Sequence, residues 1–121
     1  MTDVFTLDDS SQATLRASIA FPATGLAIVA LTGRLDAVAS PELRLRLTEA
    51  DVAGCANVVF DLSAVTLVDS AGLAVLVWLR RRNRAGGGDV VLVSPDLVDA
   101  MRVFRLTQFD QVFRMLPDSA S

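Results

Sequence analysis

The chain contains no histidine and no tyrosine, and it has a single cysteine, Cys55. Without histidine it lacks the usual general base near neutral pH and the commonest metal ligand, and no Ser-His or Cys-His pair can form. Carboxylates could still run an enzyme, but most of the acidic residues stand beside apparent caps and turns. One cysteine cannot close an internal disulfide, which fits a reducing compartment. Lysine is missing too: all 11 basic residues are arginine, a bias of the kind a GC-rich genome produces. Set against 14 acidic residues they leave a net charge of −3. That balance repels a phosphate backbone and argues against nucleic acid as a partner. The uncharged runs are short. Residues 17–33 are broken by Pro22 and Gly25, and residues 70–79 are too few to cross a bilayer. No basic N-terminus leads into an apolar stretch, so no secretory signal is read. The expectation is a cytoplasmic protein with no membrane partner.

What is present describes one folded domain. The chain has 121 residues, 52% of them hydrophobic and 21% charged, enough for a single hydrophobic core. Residues 1–12 are expected to be a flexible lead, 13–117 the domain and 118–121 a short tail. Leu15, Ala17, Ile19 and Phe21 alternate with polar or small residues as a half-buried strand does. A turn at Pro22-Ala-Thr-Gly25 predicts a hairpin partner over 26–31. Ser40-Pro41-Glu42 has the form of a helix start, with Leu43, Leu47 and Ala50 as its buried stripe and Gly54 as its stop. Residues 57–62 form a β-branched central strand, and residues 65–68 carry the chain to Asp69. A second helix runs from Ser70 to about Ala85, closed by Gly86–Gly88. Its arginines, Arg80, Arg81, Arg82 and Arg84, are read as a solvated face favoured by the helix dipole. Residues 89–93 form another strand, and Ser94-Pro95-Asp96 repeats the helix-start pattern, with Leu97, Met101 and Phe104 on one side. Residues 112–116 fit either an edge strand or a short helix. The fold class is therefore α/β, with a mixed sheet of four to five strands, an N-terminal antiparallel hairpin and crossover helices.

The segment with the most chemical content is Asp69-Ser70-Ala71-Gly72-Leu73, at the start of the second helix. Free backbone N–H groups and the positive dipole end make such a place hospitable to a phosphate. A phosphoryl group on Ser70 would add about −1.5 to −2 charges, tolerated by the helix end but opposed by Asp69 and by an acidic or apolar partner surface. Taken alone, the serine reads more simply as a cap; Asp69 could equally be the cap, with Gly72 present for close packing. Residues 73–79 are apolar all round, so part of that helix packs on the sheet and the rest is covered or left as a docking surface in which Trp78 beside Arg80 could be an anchor.

These residues resemble the STAS domains of bacterial anti-sigma factor antagonists. Asp69-Ser-Ala-Gly-Leu73 after Phe60-Asp-Leu62 is similar to the family's signature. Leu31-Thr-Gly-Arg-Leu-Asp36, Ser40-Pro-Glu-Leu43, residues 87–92 and Ser94-Pro95 agree in order with its other motifs, so that the resemblance spans roughly Leu15 to Leu116. It implies an antagonist that, unphosphorylated, binds an anti-sigma factor serine kinase and frees a sigma factor. Phosphorylation of Ser70 would end the complex, and a serine phosphatase would reset it. ATP and magnesium would belong to the kinase, leaving no cofactor, no metal and no catalytic residue on this chain. Carried over residue by residue, Asp36, Asp69, Ser70, Ala71, Gly72 and Leu73 would form the partner-binding surface, although Asp36 could as well cap a turn. Ala71 departs from relatives that carry a second hydroxyl there, leaving Ser70 as the sole hydroxyl of the motif. Ser63 and Thr66 are read as structural. The absence of an appended sensor or transporter domain favours a stand-alone antagonist. The alternative is a STAS accessory subunit that binds the ATPase of a lipid ABC transporter. An enzyme fits least, since no phosphate-cradling Gly-x-x-x-x-Gly-Lys motif and no metal-ligand cluster is present.

Overall fold

A computed structural model describes residues 2–6 and 15–117. Strand β1 (Thr2–Thr6) leads, and β2 (Leu15–Ala23) and β3 (Leu26–Leu35) form a hairpin. Helices α1 (Ser40–Leu47) and α2 (Ala50–Ala53) follow, then β4 (Asn57–Val68), α3 (Ser70–Ala85), β5 (Asp89–Val93), α4 (Val98–Leu106), α5 (Phe109–Val112) and β6 (Arg114–Leu116). The strands lie in one sheet in chain order, β1 to β6. The first two pairings are antiparallel and the last three parallel. Each parallel connection advances in the same direction, so right-handed crossovers place α1, α3 and α4 on the same face.

The period of two along each strand assigns residues to that face. Ile19, Val29, Phe60 and Leu92 stand in register across four strands, all fully buried beneath the helices. Leu43 and Leu47 of α1, Leu76 and Leu79 of α3 and Phe104 of α4 close the core from above. The next register row, Ala20, Ile28, Val59 and Val91, faces away from the helices and is only partly covered.

The α/β class, the antiparallel hairpin and the crossover helices are as expected, and several local readings change. The sheet has six strands, because Thr2–Thr6, within the segment expected to be a flexible lead, pairs antiparallel with β2. Residues 7–12 and 118–121, also expected to be loose, lie outside the described residues. The helix expected from Ser40 to Gly54 breaks at Thr48, whose N–H and hydroxyl both turn back to the Leu45 carbonyl; Ala50 is exposed, and Val52 takes its place in the core. Ser94-Pro95-Asp96 does not open a helix. The Ser94 N–H donates to the Leu116 carbonyl and the Asp96 N–H to the Ser63 carbonyl, at 2.9 and 3.2 Å, so both are held to strands and α4 begins only at Val98. This leaves Leu97 exposed. Of the two alternatives for residues 112–116 the edge strand is found, at Arg114–Leu116, and the single helical turn Phe109–Val112 ends where that stretch begins.

Candidate functional site

Two separated stretches of sequence meet at the C-terminal ends of β3 and β4. Gly33 adopts φ +107°, a region costly for other residues, and the β3–β4 register shifts between Gly33 and Arg34. The bulge lets β3 continue to Leu35, opposite Val68 at the end of β4. The Asp69 N–H then donates to the Leu35 carbonyl at 3.2 Å.

Asp69 is the N-cap of α3. Its Oδ1 accepts from the Gly72 N–H at 3.0 Å, while Oδ2 accepts from the Ala37 N–H at 2.9 Å. One carboxylate therefore satisfies a free donor of the helix and fastens the turn after β3 to that helix. Asp36 acts in the same manner on its own turn: Oδ1 accepts from the N–H groups of Val38 and Ala39, each at 3.1 Å. Ser40 is not a cap. It lies inside α1 and is buried, its hydroxyl donating to the Asp36 carbonyl at 2.6 Å. Gly72 is buried against the end of β3, where a Cβ would come within 2.5 Å of the Leu35 carbonyl oxygen. Its contribution is close packing of α3, and it offers no surface to a partner.

On this platform Ser70 occupies the first turn of α3. It is exposed, and its hydroxyl has no hydrogen-bond partner among the described residues. Ala71 is half-buried beside it. Leu73 is almost wholly buried at 5% exposure, yet it contributes to the wall of a groove along α3. The structure thus brings Asp36, Asp69, Ser70, Ala71, Gly72 and Leu73 together, dividing them into a hydroxyl at the surface, two capping carboxylates and a packed base. Ser63 is tied to Asp61, whose Oδ1 accepts from its N–H and its hydroxyl at 3.0 and 2.7 Å, whereas Thr66 is exposed.

The surroundings of Ser70 contain residues the motif alone does not indicate. Val38, at 63% exposure, lies in the turn tied to Asp69, and Leu67, exposed at 43%, is the penultimate residue of β4. On one flank of α3, Ala37, Ser40, Pro41, Arg44, Ala71 and Ala74 line a shallow depression. On the other, Ser70, Leu73, Ala74, Val77, Arg81, Thr107 and Phe109 line a groove of about 450 Å³. The signal for the second groove was in the sequence as a helical stripe, positions 70, 73, 74, 77 and 81, masked by an all-round apolar helix.

The arginine run is not uniformly solvated. Arg82 donates to the Leu47 carbonyl at 2.7 Å, and burial pulls its pKa below the ordinary value. Its guanidinium and that of Arg44 lie 5.1 and 4.6 Å from the Trp78 ring centre, so Trp78 is covered by two cations and is no free anchor. Arg80 and Arg84 approach Asp89 at 4.0 and 3.5 Å. Away from the site, burial pushes the Cys55 thiol above its ordinary pKa. Among the described residues no cluster of His, Cys, Asp and Glu could hold a metal, and no helix is long and apolar enough to cross a membrane.

The STAS domain family model matches residues 20–121. The chain belongs to the STAS domain family. Solved structures with the same fold include an anti-sigma factor antagonist from Mycobacterium paratuberculosis, 25% identical, with a TM-score of 0.70 and 88% of each chain covered. The unphosphorylated form of the anti-sigma factor antagonist SpoIIAA is 16% identical, with a TM-score of 0.73 over 85% of this chain and 88% of that one. The phosphorylated form of the Bacillus protein is 17% identical, with a TM-score of 0.68 over 85% and 91%.

Proposed function

We propose that this STAS domain is an anti-sigma factor antagonist that acts by binding, with Ser70 as the phosphorylated switch. In its unphosphorylated form it occupies an anti-sigma factor serine kinase and so releases a sigma factor; phosphorylation of Ser70 ends the complex. The observation that carries this reading is the exposed, unpartnered hydroxyl of Ser70 in the first turn of a capped helix. A phosphoryl group there meets the positive end of the α3 dipole, which stabilises negative charge by roughly 0.3–1 kcal/mol at an exposed site. No hydrogen bond of the fold has to break to admit it. The same charge, about −1.5 to −2, would stand at the mouth of the apolar groove along α3, where a partner's apolar surface would have to desolvate it. The fold tolerates the modification and the interface does not.

The bond made would be Ser70 Oγ to the γ-phosphorus of ATP, with the hydroxyl proton passing to a base on the kinase and ADP leaving. The kinase supplies ATP, magnesium and the base, in keeping with a chain that lacks histidine. A serine phosphatase would restore the hydroxyl.

The test is phosphate transfer from labelled ATP, using anti-sigma kinases of the same organism, with Ser70→Ala as control. Labelling that vanishes in the variant, together with loss of kinase binding after phosphorylation, is the expected result. If no kinase labels or binds the wild-type chain, the reading falls, and transporter ATPases become the partners to assay.

A further inference from the structure

We propose that the groove along α3 receives an amphipathic helix of the anti-sigma partner, and that Arg81 fixes its register by pairing with an acidic side chain on that helix. The proposal rests on the antagonist reading above and specifies how the partner is recognised away from the switch.

Four observations lead to it. The wall of the groove follows a single helical stripe of α3, from Ser70 through Leu73, Ala74 and Val77 to Arg81, and faces Thr107 and Phe109 at the α4–α5 turn. That stripe is roughly 16 Å long at 1.5 Å per residue, about three turns, with Ser70 at one end and Arg81 at the other. Its middle is apolar: Leu73, Ala74, Val77 and Phe109 supply no charge. A long, open, apolar trough between a helix and a neighbouring turn matches the ridge of another helix, whose own side chains recur at the same spacing.

Arg81 supplies the selectivity. It is exposed and has no ion pair, hydrogen bond or ring contact among the described residues. Arg80, Arg82 and Arg84, its neighbours in sequence, are engaged with Asp89, the Leu47 carbonyl and Trp78. On a chain of net charge −3, a free guanidinium at the end of an apolar groove favours a carboxylate over a cation at that point. An arginine can hold a carboxylate bidentately, which fixes orientation as well as charge. An occupant entering in the wrong direction would bring its acidic group toward Asp69 and Ser70 rather than Arg81.

The experiment measures binding of the full chain to the kinase that labels Ser70, by calorimetry with ADP and magnesium so that no phosphate is transferred. Arg81→Glu places an acid where an acid is expected to dock, and Ala74→Arg fills the exposed middle of the groove. Arg16→Glu, on the sheet face away from the helices, is the control. Arg81→Glu and Ala74→Arg should each weaken binding at least about tenfold, while Arg16→Glu stays within about twofold of wild type. Thermal melts must match wild type, as expected for exposed side chains without partners. An acid-to-arginine change on the partner's helix should restore binding to Arg81→Glu. If both groove variants bind like wild type while Ser70 is still labelled, the groove proposal is wrong and the switch stands. If Arg81→Glu instead abolishes self-association in light scattering and leaves kinase binding intact, the occupant is a second copy and the proposal is overturned. If no kinase binds or labels the wild type, the groove proposal falls with the reading it rests on.

Discussion

Asp69 shows how much of this site depends on one side chain. Its two carboxylate oxygens accept from Gly72 of α3 and Ala37 of the preceding turn, at 3.0 and 2.9 Å. Neither donor has another acceptor among the described residues, so removing the carboxylate strands both. Asp69→Ala should cost about 1–2 kcal/mol in urea unfolding, with faster amide exchange at Ala37 and Gly72 ahead of the core strands. Asp69→Asn, which keeps one acceptor oxygen, should recover part of that loss. At this scale the sequence left real ambiguity. Asp69 and Ser70 are both good caps, and only the geometry assigns the role to Asp69 and leaves the serine hydroxyl free. Asp36 was equally open, and its bonds to Val38 and Ala39 make it a cap of its turn. Gly72 was read two ways, and the approach of the Leu35 carbonyl decides for packing.

Among the elements, β3 controls the site most directly. Its bulge at Gly33 carries the strand far enough for Leu35 to reach Val68, which sets the distance between the two halves of the site. An alanine at that position would hold a left-handed conformation at a cost of order 1–3 kcal/mol. Gly33→Ala should therefore lower the unfolding midpoint and, because it disturbs the platform under Ser70, reduce labelling by the kinase as well. Strands with alternating burial were readable from the sequence because period two leaves a clear trace in Leu15, Ala17 and Ile19. Helix starts were less so. Ser40-Pro41 and Ser94-Pro95 look alike, yet Ser94 is consumed in the β5–β6 ladder through Leu116, a contact no local pattern contains. Thr2–Thr6 was missed for the same reason: a short edge strand beside a polar, acidic segment earns its place only by pairing with β2.

Across the molecule, the parallel order of β3 to β6 sends α1, α3 and α4 to one face, and the ends of β3 and β4 open at the start of α3. The overall class and the convergence of Leu31–Asp36 with Asp69–Leu73 were legible in the order of the motifs. The groove was not, because its far wall, Thr107 and Phe109, lies between the expected third helix and the undecided stretch 112–116, where no local pattern shows that the chain folds back beside α3.

The double attachment of Asp69 has a consequence for the enzyme that would modify this chain. Many protein kinases read a consensus in an extended peptide threaded through a cleft. Here the proposed acceptor, Ser70, is wound into a helix whose cap, Asp69, is bolted to a turn that lies 32 residues away in sequence. What a kinase meets is a shape, assembled from distant stretches, and the linear string around Ser70 carries little of it. A synthetic peptide of residues 65–76 should accept no measurable label under conditions in which the folded chain is labelled to completion. Unfolding the protein should then erase the epitope, so that only molecules that have folded can be switched off.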